Sequence, residues 1–161
     1  MKKLSFIFLA ALALGSCKKN DDNSPSTPSK TDLLTAKSWR ITADKTTTTV
    51  GTTASTTTDD YATSPACERD NFIKFNTNKT ASFDEGSTKC STTDPQTTTG
   101  SWDFNSDGTK LILTDPSLGG IALQQDILEL TATTLRVRYT SSFSFGGATE
   151  TDVQETTFTA F

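Results

Sequence analysis

Histidine is absent from the 161 residues, methionine occurs once and cysteine three times. The missing imidazole removes the commonest general base, the commonest zinc ligand and the side chain that changes charge near neutral pH. No C-x-x-C pair is present, and Gly119-Gly120 and Gly146-Gly147 are isolated pairs rather than a phosphate-cradling loop. Basic residues are in the minority, 15 against 19 acidic ones, for a net charge of −4. A chain of that sign is a poor partner for nucleic acid. What the chain has in abundance is threonine, 33 residues in all, and β-branched side chains favour strands. The length suits one domain that buries roughly two thirds of its unfolded surface. Composition therefore points to an acidic, all-β, non-catalytic domain with no cofactor.

The N-terminus carries an address. Met1-Lys2-Lys3 is basic, and Leu4 to Leu14 is apolar or small apart from Ser5. Eleven helical residues reach about 16 Å, half a bilayer core, so the stretch reads as a signal peptide rather than a span. It ends in Leu14-Gly15-Ser16-Cys17, which resembles the lipobox of bacterial lipoproteins. The resemblance implies cleavage after residue 16 and a lipid on Cys17, with the membrane as a partner through that anchor. Processing leaves 13 basic and 19 acidic side chains, a mature charge of −6. Residues 17–31 follow without an apolar run or a period and read as a tether with a reach of roughly 20 Å. The Lys18-Lys19-Asn20-Asp21-Asp22 cluster looks like the signal that sends some Gram-negative lipoproteins to the outer leaflet; a soluble linker explains it equally. The expected location is the cell envelope, as an outer-membrane lipoprotein facing the periplasm or the cell surface. In an exported protein the remaining pair, Cys67 and Cys90, is expected to form a disulfide.

Residues 32–161 are expected to form the domain. Asp32-Leu33-Leu34 reads as a helical turn, and Lys37 to Ala43 alternates with Trp39, Ile41 and Ala43 on one face. Thr46 to Thr58 either extends this strand or is a mobile loop, and Asp59 to Asp70 reads as loop. Strands follow at Asn71 to Asn76, Thr80 to Asp84, Thr98 to Phe104, Lys110 to Thr114, Gln124 to Leu130, Leu135 to Thr140 and Asp152 to Phe161. Tight turns separate them, with an asparagine expected in the left-handed conformation at Asn76 to Lys79 and Gly108 at positive φ. Across the fifth and sixth of these, Leu128 and Leu130 should face Leu135 and Val137, with Glu129 opposite Arg136. Closing the meander into an up-and-down eight-stranded antiparallel barrel hides both edges; a two-sheet β-sandwich is the alternative.

The run Cys67-Glu68-Arg69-Asp70-Asn71-Phe72-Ile73-Lys74-Phe75, then Asp84-Glu85-Gly86 to Lys89-Cys90 and Gly100-Ser101-Trp102, form one pattern with Leu34-Thr35-Ala36-Lys37-Ser38-Trp39 upstream. It resembles the lipocalin-like lipoproteins of Gram-negative bacteria. That resemblance implies a calyx-shaped barrel on a lipid anchor, a fold that often accommodates small apolar molecules. Lipocalins proper open on Gly-x-Trp, whereas Lys37 stands two positions before Trp39 here. Their last strand carries an arginine over that tryptophan, and the nearest arginines here are Arg136 and Arg138.

Candidate chemistry is sparse. Asp103-x-Asn105-x-Asp107-Gly108 matches half a calcium loop, but position twelve is Thr114 and a hairpin turn explains it. Asp59-Asp60 and Asp84-Glu85 read as solvated acids rather than glycosidase carboxylates, and Arg136 with Arg138 as outward residues rather than an anion site. Seven aromatics can point inward: Trp39, Phe75, Phe83, Trp102, Phe104, Tyr139 and Phe158. They, with Ile41, Ile73, Leu111, Leu113, Leu128, Leu130, Leu135 and Val137, either fill an eight-stranded barrel or line a cavity for one small ligand. Two functions follow: a lipid-anchored monomer binding a small apolar molecule, or a packed lipoprotein contacting envelope proteins or glycans.

Overall fold

The computed structural model describes residues 27–161; the signal peptide, Cys17 and most of the expected tether lie outside the described residues. Helix α1 (Lys30–Thr35) is followed by strands β1 (Ser38–Val50) and β2 (Thr56–Asp59), helix α2 (Asp60–Thr63), and strands β3 (Phe72–Phe75), β4 (Thr80–Asp84), β5 (Thr97–Phe104) and β6 (Lys110–Thr114). A single 3-10 turn (Pro116–Leu118) leads into β7 (Ala122–Leu130), β8 (Thr134–Phe145) and β9 (Ala148–Ala160). Every strand from β3 to β9 pairs antiparallel with the next, and β9 returns to pair along β1. With the β1–β3 pairing this closes an eight-stranded antiparallel barrel, and β2 is an extra strand hydrogen-bonded to β1 beyond β3.

One end of the barrel is packed. Three hairpin turns gather there, at residues 76–79, 105–109 and 131–133. Helix α1 lies against it, begun by a capping box in which Ser29 and Asp32 satisfy each other's backbone N–H groups. The helix drives Leu34, fully buried, into a core of Trp39, Phe75, Trp102, Leu111, Leu135 and Val137. The Trp39 indole N–H donates to the Leu34 carbonyl at 2.8 Å, so the buried polar atom is paired. Trp102 donates likewise to the Asn76 carbonyl at 2.9 Å.

The threonine-rich segment resolves into strand. Thr46 to Val50 continue β1, residues 51–54 turn, and β2 returns as a ladder. Thr47 and Thr57 hydroxyls meet at 3.0 Å across it. The expected loop from Asp59 to Asp70 contains α2, capped by the Asp59 carboxylate, which accepts from the Ala62 amide.

Two β-bulges alter which side chains face inward. In β1 the register shifts between Ile41 and Ala43, leaving Thr42 as the extra residue. The extra residue reverses the alternation: Trp39 and Ile41 point inward, Ala43 points outward opposite Thr157, and Asp44 points inward opposite the buried Thr156. Ala43 therefore does not share a face with Trp39. In β7 the shift falls between Ile127 and Glu129, so Ile127 rather than Leu128 stands opposite Val137, and Leu128 is 37% exposed. Leu130 opposite Leu135 and Glu129 opposite Arg136 hold as expected. At the β3–β4 turn the left-handed residue is Lys79, φ 68°, rather than an asparagine. The Asn78 side chain instead accepts from the Thr80 amide and hydroxyl.

Candidate functional site

The opposite end of the barrel is open. Chain direction brings three connections to it: residues 60–71 before β3, 85–96 between β4 and β5, and 115–121 between β6 and β7. From this mouth a cleft of about 460 Å³ descends to Trp39, within the range of small-molecule sites. Its apolar wall combines Trp39, Ile41, Ile73, Phe83, Leu113 and Phe158, with Leu118 and Leu123. Ile41, expected as a core residue, is 36% exposed because it lines this opening.

Five carboxylates belong to the rim: Glu68, Asp84, Glu85, Asp94 and Asp115. None of the five takes part in an ion pair among the described residues, and no lysine or arginine lines the cleft. Burial pushes Asp84 toward the neutral form, but donors from Thr97, Gln96 and the Gly86 amide outweigh it and hold the carboxyl below the usual range. Asp115 caps the 3-10 turn through Ser117.

Covalent and polar ties fix the rim. Cys67 and Cys90 form a disulfide joining the loop before β3 to the loop after β4. Asp70 crosses the same gap, accepting from the Ser87 amide and hydroxyl and the Thr88 amide at 2.7–2.9 Å. The Ser87 hydroxyl contributes most to holding the Asp70 carboxyl below its ordinary range. Gly86, φ 67°, sits so close that a Cβ there would come within 2.4 Å of the Asp70 carbonyl oxygen.

Of the seven aromatics expected to face inward, Trp39, Phe83 and Phe158 line the cleft. Phe75 and Trp102 lie in the packed end, rings edge to face at 5.8 Å, and Phe104 packs on Trp102 at 5.4 Å. Tyr139 faces inward opposite Gln154 but belongs neither to the buried core nor to the cleft wall. Above Phe158, the Asp44 carboxylate accepts from Thr156 and Gln154, each at 2.9 Å. Burial raises its pKa above the ordinary value, with the charges of Asp60 and Asp59 adding to the effect.

The other candidates are occupied within the fold. Arg138 donates to Glu155 at 2.7 Å and Arg136 reaches the same carboxylate at 3.6 Å, with Glu129 at 4.0 Å. Asp103 pairs with Lys79 at 2.9 Å and Asp107 accepts from Thr109, so the calcium-like stretch is a hairpin turn. Among the described residues no three ligating side chains converge on a metal-sized point. Sequence periodicity could not locate Glu68, Asp94, Asp115 or Leu118, because all four lie in connections without a repeating pattern.

The family described as a lipocalin-like domain matches residues 35–137, from the end of α1 into β8; the closing strand β9 lies beyond the match. No curated protein matches the chain.

Proposed function

Because the chain belongs to the lipocalin-like domain family, we propose that it binds a small hydrophobic molecule in the barrel rather than acting as an enzyme. The observation that carries this reading is the cleft of about 460 Å³ running from the open mouth to Trp39. Three aromatic rings, of Trp39, Phe83 and Phe158, supply apolar contact there, and burying such area is the driving force available to a site without catalytic groups. The proposal extends to the address. Cys17 carries a lipid and holds the domain as a monomer at the outer membrane; the residues Leu14-Gly15-Ser16-Cys17 support the lipidation.

A neutral, environment-sensitive dye such as Nile red tests binding without a charge on the probe. Its emission should rise saturably with the protein and fall back in an Ile73→Trp variant that fills the cleft. A rise that never saturates, or one the filled variant leaves intact, overturns the reading. For the anchor, Cys17→Ala should move the protein from the membrane fraction to the soluble one; persistence in the membrane overturns lipidation.

The second reading, an interaction protein, has its own observation. Phe143 and Phe145, two positions apart near the end of the β8–β9 hairpin, are 56% and 85% exposed, an apolar pair open to a partner surface. Cross-linking in intact cells that recovers only free monomer would remove it.

A further inference from the structure

We propose that the ligand of this cleft carries a positive charge: an amphiphilic amine or quaternary ammonium compound, tail in the barrel and head at the mouth. The inference rests on the reading that the cleft binds an apolar molecule, and it names which kind.

The wall and the rim specify different halves of the ligand. The wall is aromatic and aliphatic, and among the described residues the rim holds Glu68, Asp84, Glu85, Asp94 and Asp115 without one lysine or arginine. The basic residues nearby, Arg69 and Lys89, keep their charge but do not line the cleft. Arg69 spends its guanidinium on the carbonyl oxygens of Ala62 and Ser64. Lys89 donates to the backbone carbonyl of Asp94, whose carboxylate forms no ion pair among the described residues. Charges gathered around a low-dielectric opening focus their field into it. A fatty acid entering tail first would bring its carboxylate against five like charges. An ammonium head meets the opposite.

Geometry separates an organic cation from a metal ion. The rim acids come from three different connections, and among the described residues no group of three converges on a metal-sized point. Such a spread suits a diffuse, weakly hydrated head group better than a divalent ion demanding several oxygens at short range. The rings of Trp39, Phe83 and Phe158 belong to the apolar wall that meets the tail, so the preference for a positive head rests on the rim acids.

The test uses three probes with one tail, titrated calorimetrically into the purified full chain: dodecyltrimethylammonium and dodecanoate below their micellar concentrations, and dodecanol below its solubility limit. The ammonium should bind at least about tenfold tighter than the alcohol, and the alcohol tighter than the carboxylate. Raising the salt concentration should shrink the ammonium advantage. A Glu85→Gln, Asp94→Asn double variant should lower the ratio of ammonium to alcohol affinity, with an unchanged unfolding midpoint showing that the fold is intact. If dodecanoate binds as tightly as the ammonium while the alcohol also binds, the charge inference falls and the apolar reading stands. If none of the three binds, both fall.

Discussion

Trp39 joins three parts of the molecule through one side chain. It is fully buried, its indole N–H ends on the Leu34 carbonyl at 2.8 Å, and its ring forms the bottom of the cleft. Trp39→Ala should therefore cost about 3–5 kcal/mol in urea unfolding. Trp39→Phe keeps most of the volume but leaves the Leu34 carbonyl without its donor, and should cost about 1–3 kcal/mol. An Ala variant within 1 kcal/mol of wild type, roughly the scale of a surface change, would contradict this packing. Gly100 is a second single-residue constraint. A Cβ there would lie 1.9 Å from the Thr114 carbonyl oxygen, backbone that cannot rotate away. Gly100→Ala should force β5 and β6 apart at a cost of about 1–3 kcal/mol or more, visible as a lowered unfolding midpoint. Trp39 was legible in the sequence as an inward aromatic because it sits in a clean alternation. The reason Gly100 must lack a side chain was not, since it depends on how closely the next strand approaches.

At the scale of elements, strands bounded by turn residues could be read directly: Asn105 to Gly108 between Thr98 and Thr114 announces a hairpin, and one is present. The reading stopped where alternation stopped. A run such as Thr46 to Thr49 has no apolar and polar faces to distinguish, so its strand character leaves no trace in the pattern. The bulge at Thr42, by contrast, falls inside the alternation of Trp39, Ile41 and Ala43 and interrupts it without changing the sequence pattern. That bulge decides that Asp44 faces inward. The rim was hidden for a different reason: Glu68 and Asp94 are 26 positions apart and share one mouth because their loops are tied together. The disulfide between Cys67 and Cys90 is the covalent part of that tie. Replacing both cysteines by serine should lower stability by about 3 kcal/mol, the chain-entropy value for a loop of this length. Reduction should give the same loss in a thermal scan with and without dithiothreitol. Since the Asp70 contacts to Ser87 and Thr88 survive, the barrel should still fold. Indistinguishable midpoints would mean that the loops are held by hydrogen bonds alone.

For the whole molecule, acid stability is set by carboxylates pulled in opposite directions. Asp32, Asp70, Asp84, Asp103 and Asp107 are held below the model-compound value of 3.8, each through hydrogen bonds to its ionised form. A depressed folded pKa contributes stability that is present above the unfolded value and is lost as pH falls through the folded one. Unfolding midpoints in urea should therefore hold near neutrality and decline below about pH 3.8. Asp44 works against this. Burial raises its folded pKa, so the ionised form is a cost present at neutral pH, and the cost is relieved as pH falls through that raised value. Asp44→Asn imitates the protonated group and keeps an oxygen to accept from Thr156. The variant should be more stable than wild type at pH 7, and the difference should narrow as the pH is lowered and wild-type Asp44 takes up its proton. Parallel urea titrations of the two proteins across this range measure the gap directly. A gap that stays constant with pH would assign the change to packing, and an Asn variant less stable at pH 7 would mean that the ionised carboxylate stabilises the barrel through Thr156 and Gln154.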